Sequence, residues 1–334
     1  MYQPDTQHSG RSRRSFLKVV GASSALSITG LAGCSQEGSY PSEEIEVIVP
    51  WAAGGGTDQA TRKLVEVMNS NDLIETDTFV SNVSGATGSN GMSRVANAGP
   101  DGYTVAAETW EIVVLDHLGI SDLKPEDLQS AMQFVFLATA FNARDDAEYS
   151  TLEEFVEYAQ NSSGDINVAH AGTGGVWHIA IAGFAQEVGI DLGYVPYDGG
   201  APAVEALLNG EVDAAAAAPP EVSQQVKNGP LNCLGVMGEE RAAPLPDTPT
   251  FIEQGYEWTW GTTFSLAVPP ETEEDRIQTL HDAAKEAFET DEYQDFLIES
   301  GFQPRYRSGE EYMEFKQNQY ENVRSILDDL GMLG

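Results

Sequence analysis

Three glycines in a row, Gly54-Gly55-Gly56, separate the apolar run Val47-Ile48-Val49 from a segment with helical spacing over 58–68. A turn of this composition strips away side chains and frees backbone N–H groups, and it stands at the positive end of a helix dipole. The chemistry it suits is the binding of an anion, either a phosphate or a carboxylate. A glycine-rich connection without a ligand stays the alternative. Two nucleotide motifs fit poorly. A P-loop needs Lys and Ser/Thr directly after its last glycine, but Thr57-Asp58 follow and the next lysine is Lys63. A dinucleotide fingerprint needs G-x-G-x-x-G and an acidic residue about 20 positions later. Here the glycines are contiguous and Asp58 falls inside the turn.

The elements around that turn repeat its design. Strands are expected at 46–50, 78–82, 103–107, 134–139, 166–171, 193–196 and 212–217, with helices at 58–68, 152–160, 178–188 and 202–208. This alternation predicts an α/β protein with mostly parallel sheets. Three more glycine turns lead from strand to helix: Gly85 to Gly91, Gly172-Thr173-Gly174-Gly175, and Asp198-Gly199-Gly200-Ala201 before Pro202. In open α/β sheets, ligands bind at the carboxyl ends of the strands. Two turns lie early and two lie in the middle of the chain. Facing sets of helix N-termini across a cleft describe a two-lobed binding protein better than a one-domain enzyme.

The same residues resemble a known family. Pro50-Trp51-Ala52-Ala53-Gly54-Gly55-Gly56-Thr57-Asp58 is similar to the first motif of the solute receptors of tripartite tricarboxylate transporters, the Bug-type binding proteins. Asn82 to Gly88 with Ala98 to Thr104, His170 to Gly175 with His178, Tyr194 to Ala203, and Leu245 to Phe251 resemble the later motifs, in the family's order over about 44–330. The resemblance implies a type II periplasmic-binding-protein fold: two lobes, each a mostly parallel sheet flanked by helices, with the ligand cleft between them. Lobe 1 would comprise 44–139 plus 262–334, and lobe 2 would comprise 140–261. It also implies capture of a small carboxylate, no cofactor, and delivery to integral membrane subunits of a transporter by a monomeric receptor. By the matching motifs, Ala53, Gly54, Gly55, Gly56, Thr57 and Asp58 would face the ligand from lobe 1, with Gly88 and Asn90 nearby. Gly172, Thr173, Gly174, Gly175, Gly199, Gly200 and Ala201 would close from lobe 2. The sequence departs from the family after Val212-Asp213, where Ala214 to Ala218 and Pro219-Pro220 follow. An apolar, small-lined wall is expected there, which disfavours an amino-acid ligand. Trp51 and Trp177 border two of the turns and are expected as core or rim packing, with stacking on a ligand tail as the alternative.

The amino terminus reads as an address. Ser12-Arg13-Arg14-Ser15-Phe16-Leu17-Lys18 matches a twin-arginine export signal, and Leu31-Ala32-Gly33-Cys34 resembles a lipoprotein processing box. Residues 1–33 would be removed, Cys34 would carry lipid on the outer face of the cytoplasmic membrane, and 34–43 would act as a tether. The chain holds 17 Lys+Arg against 53 Asp+Glu. Loss of Arg11, Arg13, Arg14, Lys18 and Asp5 with the leader leaves 13 basic and 52 acidic residues, a net charge of −39. Such a field opposes nucleic acid and anionic headgroups. In molar salt the screening length falls to about 3 Å, so the repulsion of an anionic ligand nearly vanishes. This composition reads as adaptation to a salt-rich habitat.

Catalytic sets are weak. His170 and His178 lack an i, i+4 partner and any nearby ligand cluster, so both are expected as structural histidines and no metal site is expected. Cys233 sits in an apolar strand and reads as a small buried hydrophobe. No G-x-S-x-G elbow occurs, and the carboxylate-rich stretches 271–275 and 282–292 read as solvated helix faces. The alternatives to a transport receptor are a sensing receptor that feeds a signalling partner and, more distantly, a hydrolase or transferase.

Overall fold

Val47 pairs with Val80 on one side and Val105 on the other, so the first strand is central from the outset. The computed structural model describes residues 40–162, 166–197 and 199–334. The leader, Cys34 and most of the tether lie outside the described residues, as does Asp198. The chain divides into Met1–Glu37 and Gly38–Gly334, and the described residues all belong to the second unit.

In chain order the elements are β1 (Ile45–Val49), α1 (Gly56–Ser70), β2 (Thr78–Asn82), α2 (Ser89–Ala96), β3 (Thr104–Thr109), β4 (Gln129–Ala138), β5 (Ala140–Arg144) and α3 (Leu152–Asn161). There follow β6 (Asn167–Ala171), α4 (Val176–Val188), β7 (Gly193–Tyr197), α5 (Gly200–Leu208), β8 (Ala214–Ala217), α6 (Pro219–Asn228) and β9 (Leu231–Val236). The chain closes with β10 (Gly261–Val268), α7 (Glu274–Phe288), α8 (Asp291–Glu299), β11 (Gln303–Ser308) and α9 (Gly309–Asp329). Two sheets result, ordered β11-β4-β10-β3-β1-β2 and β7-β6-β8-β5-β9.

The expected α/β architecture is present, but the sheets are mixed rather than mostly parallel. Parallel pairing is confined to β2-β1-β3 and β7-β6-β8. β10 runs antiparallel to both β3 and β4, and β5 runs antiparallel to both β8 and β9. The physical reason lies in the crossings between sheets. The chain passes from β4 to β5 through the single residue Thr139 and returns from β9 to β10. Thr139 N donates to Trp260 O at 3.0 Å, Trp260 N to Met237 O at 2.8 Å, and Met237 N to Thr139 O at 2.8 Å. Two passages bonded side by side in this way bring β10 back against β4 in the opposite direction. β10 is buried along its whole length, so it carries no two-residue alternation for a sequence reading to find.

Helix packing follows the expected faces. α1 buries Ala60, Leu64, Val67 and Met68, and each large apolar side chain so covered contributes about 1.5–3 kcal/mol. Three helices away from the glycine turns, α3, α8 and α9, are capped by side chains. Thr151 accepts from Glu154 N at 3.2 Å at the start of α3, and Thr290 accepts from Tyr293 N at 3.2 Å at the start of α8. Ser308 and Glu311 cap α9 reciprocally. α1, α4 and α5 begin instead at Gly55, Gly175 and Gly199, none of which can supply a side-chain cap.

Candidate functional site

The first glycine turn is held from inside. Gly54 takes φ +84°, a conformation glycine adopts without strain, and its N–H donates to Asp58 Oδ2 at 2.8 Å. Asn82 Nδ2 donates to Asp58 Oδ1 at 2.8 Å, and Arg62 Nε reaches the same carboxylate at 3.0 Å. Burial alone would raise the Asp58 carboxyl, but the bonds from Arg62, Gly54 and Asn82 hold it below the usual carboxylate range. Asp58 is thus a brace, 3% exposed, whose oxygens bond Gly54, Arg62 and Asn82. The first-turn amides of α1, beginning at Gly56 and Thr57, keep no side-chain cap.

The third turn is held by a stacked histidine pair. The rings of His170 and His178 lie 4.2 Å apart and 6° from parallel, with Tyr194 against them. His170 Nδ1 meets Gly172 O at 2.9 Å, and Gly174 N donates to His178 Nδ1 at 3.0 Å. An Nδ1 that accepts a hydrogen bond belongs to a neutral ring. Burial pushes His170 down to about 4 and His178 down to about 3, the latter helped by its neighbour. The structural role expected for both is what the geometry gives them, although each Nε2 is buried without a partner. Gly174 takes φ +73°, and a side chain there would strike Leu118.

A cavity of about 430 Å³ takes walls from both sheets. The first sheet and its helices supply Trp51, Gly56, Thr57, Thr109, Glu111 and Phe302, and the second supplies Val176, Trp177, Ala218, Pro220 and Glu221. Size does not single it out, since cavities of about 430 and 440 Å³ lie beside Tyr194 and beside Arg144. What does is that α1 and α4 both present their first turns to it. A helix start carries about half a positive charge, and two of them converge here without side-chain caps. Trp51 is fixed in the wall by its indole N–H, which donates to Thr109 Oγ1 at 3.3 Å. Both tryptophans are wall residues, Trp51 half-buried and Trp177 buried.

The predicted residues distribute unevenly around this cavity. Gly56 and Thr57 line it directly, while Ala53, Gly54 and Gly55 are exposed on the same turn. Gly88 is buried behind Trp51, and Asn90 donates to Ser84 O at 3.2 Å, tying its own turn rather than the cavity. Gly172, Thr173, Gly174 and Gly175 contribute through the residues that follow them, Val176 and Trp177. Gly199, Gly200 and Ala201 are not among the wall residues, and a Cβ on Gly200 would strike the Glu221 carboxylate.

The apolar wall expected after Val212 is present in part, with one acid in it. Ala214 to Ala217 are buried in β8, and only Ala218 and Pro220 reach the cavity, beside Glu221. Glu221 accepts from Ala218 N at 2.8 Å, and burial raises its carboxyl. Glu111 joins it from the first sheet: it is 8% exposed, its Oε2 has no hydrogen-bond partner, and burial raises its carboxyl too. Sequence reading missed both. Glu221 carried a signal, an acidic residue three positions after a helix cap, but that signal does not say where the side chain ends. Among the described residues no group of three or more His, Cys, Asp or Glu could hold a metal ion. No described helix is long and apolar enough to cross a membrane.

Comparison with known proteins gives concordant matches. The family model described as the tripartite tricarboxylate transporter family receptor matches residues 62–332. A UPF0065 protein in the gbd 5' region of Cupriavidus necator is 27% identical, over 96% of this chain and 98% of that one. The crystal structure of a TctC solute binding protein from Polaromonas superposes with a TM-score of 0.79 at 29% identity, covering 87% of this chain and all of the other. MatC from Rhodopseudomonas palustris, with bound malate, shares the fold at a TM-score of 0.68 and 24% identity, over 86% of this chain and all of that one.

Proposed function

The chain belongs to the tripartite tricarboxylate transporter receptor family, and we propose that it captures a small organic carboxylate between its two sheets for delivery to integral membrane subunits. It is a solute receptor rather than an enzyme. One observation carries the ligand class: the uncapped first turns of α1 and α4 face a single cavity from opposite sheets. A carboxylate placed between them gains two sets of backbone donors and two favourable helix ends. Each sheet with its helices acts as one lobe, 44–139 with 262–334 and 140–261. The export signal and Cys34 support a lipoprotein on the outer face of the cytoplasmic membrane, working where salt screens its own acidity.

A ligand that binds only the folded state raises the unfolding temperature. In molar KCl, at least one of a panel of small mono-, di- and tricarboxylates at sub-millimolar concentration is expected to do so. Gly56→Val, whose Cβ begins 3.3 Å from the Phe302 ring in the cavity wall, is expected to lower that affinity more than tenfold. A panel without any shift defeats the reading.

A further inference from the structure

The titratable side chains that line the cavity are two glutamates, Glu111 and Glu221, with no Lys, Arg or His among the wall residues. The starts of α1 and α4 supply about one positive charge between them, which is enough for one ligand carboxylate, while the start of α6, also at the cavity, is offset by Glu221 in its own first turn. A second carboxylate on the ligand would have to lie among Glu111 and Glu221 in a partly dry wall, where like charges repel strongly. Glu111 is the sharper of the two. It is 8% exposed, and its Oε2 makes no hydrogen bond. A buried carboxyl left in that state costs free energy unless a donor completes it. Glu221 holds Ala218 N with one interaction, and its Oε2 packs against the Gly200 backbone.

Resting on the carboxylate-receptor reading, we propose that the ligand is a zwitterion, an amino-substituted small carboxylate. Its carboxylate lies at the first turns of α1 and α4, and its ammonium lies at Glu111, with Glu221 as the second acceptor. Thr109 and the backbone N–H of Glu111 act on the carboxyl but leave Oε2 without a donor, and an ammonium supplies that donor together with the positive charge that keeps both glutamates ionised. This reverses the preference that the alanine run suggested.

The test compares acids that differ only in an amine: succinate with aspartate, glutarate with glutamate, and butanoate with 4-aminobutanoate. Affinity is measured by titration calorimetry in molar KCl at pH 7. At least one amino acid is expected to bind tenfold or more tightly than its plain counterpart. In Glu111→Gln, which keeps the shape of the side chain, the ratio is expected to fall towards one. Glu221→Gln serves as the second variant and is expected to reduce the ratio less. Plain acids that bind as well as or better than their amino partners overturn the zwitterion and leave the carboxylate receptor standing. An amine preference that survives unchanged in both variants overturns the placement of the ammonium at the glutamates and likewise leaves the receptor standing. Failure of every acid to bind the wild-type protein overturns both readings together.

Discussion

Glu108 and Glu111 stand three residues apart at the end of β3, both out of solvent, and the fold treats them in opposite ways. Glu108 is completed. Lys316 Nζ lies 2.7 Å from its Oε1, and Ser130 and Ser265 donate to its Oε2 at 2.9 and 2.8 Å. Lys316 also donates to Leu128 O at 2.8 Å, so the charge pair leaves little unsatisfied. Glu111 has no such set, and it lines the cavity. A buried charge that the protein fully partners belongs to the scaffold. One that the protein leaves short of a partner, beside an open cavity, is a place where a ligand can finish the bonding.

The largest effect tests the scaffold side. Lys316→Met strands Glu108 in the sheet and is expected to cost about 3–5 kcal/mol in urea unfolding, whereas Lys316→Met with Glu108→Leu should recover most of that loss. A small loss from the single change would show that the pair is not what holds β3, β4 and β10 to α9.

A second experiment asks whether partial bonding is itself a pH liability. His170 and His178 are held below the ordinary 6.5, at about 4 and about 3. As pH falls below 6.5 the unfolded chain takes up protons first, so stability rises with pH through this window. Their contribution is complete above pH 6.5 and is lost on acidification towards pH 4, by up to about 3 kcal/mol each. The double change His170→Asn, His178→Asn should flatten the difference between urea midpoints at pH 7 and pH 4.5. An unchanged slope would assign the acid sensitivity to carboxylates instead.

The smallest effect is at Glu111. Removing a charge whose Oε2 no protein group bonds should leave stability within about 1 kcal/mol, and on the favourable side. A loss of several kcal/mol in Glu111→Gln would place Glu111 with Glu108 as scaffold and remove the contrast.

Much of this molecule was legible in the residues alone. The glycine turns, the helices behind them and the strands before them follow from apolar spacing and from where glycine breaks it. Leu64 and Val67 face the core, as their spacing requires. The apolar setting of Cys233 likewise predicted its burial in β9. Less was legible about β10 and β11, whose neighbours lie far off in the chain. β10 pairs with β3 and β4, and β11 pairs with β4. Pairing partners at that separation are chosen by tertiary packing, which no local pattern records.

The candidate site divides along the same line. Sequence determined that the first turns of α1 and α4 would follow Gly55 and Gly175 without a side-chain cap, because a residue without a side chain cannot cap its own helix. It did not determine which atoms would be spent. Asp58 sits in the motif but turns inward, because its own loop (Gly54), its own helix (Arg62) and the end of β2 (Asn82) bring three donors within 3.0 Å. Glu221 lies 110 residues from Glu111 in the chain, yet both line one cavity. The sequence alone specified the turns, the anion chemistry they offer and the family they mark. Only the folded arrangement decided that two acids line the same cavity as the starts of α1 and α4, because the sign of the charge facing a ligand depends on side chains that meet across distant parts of the chain.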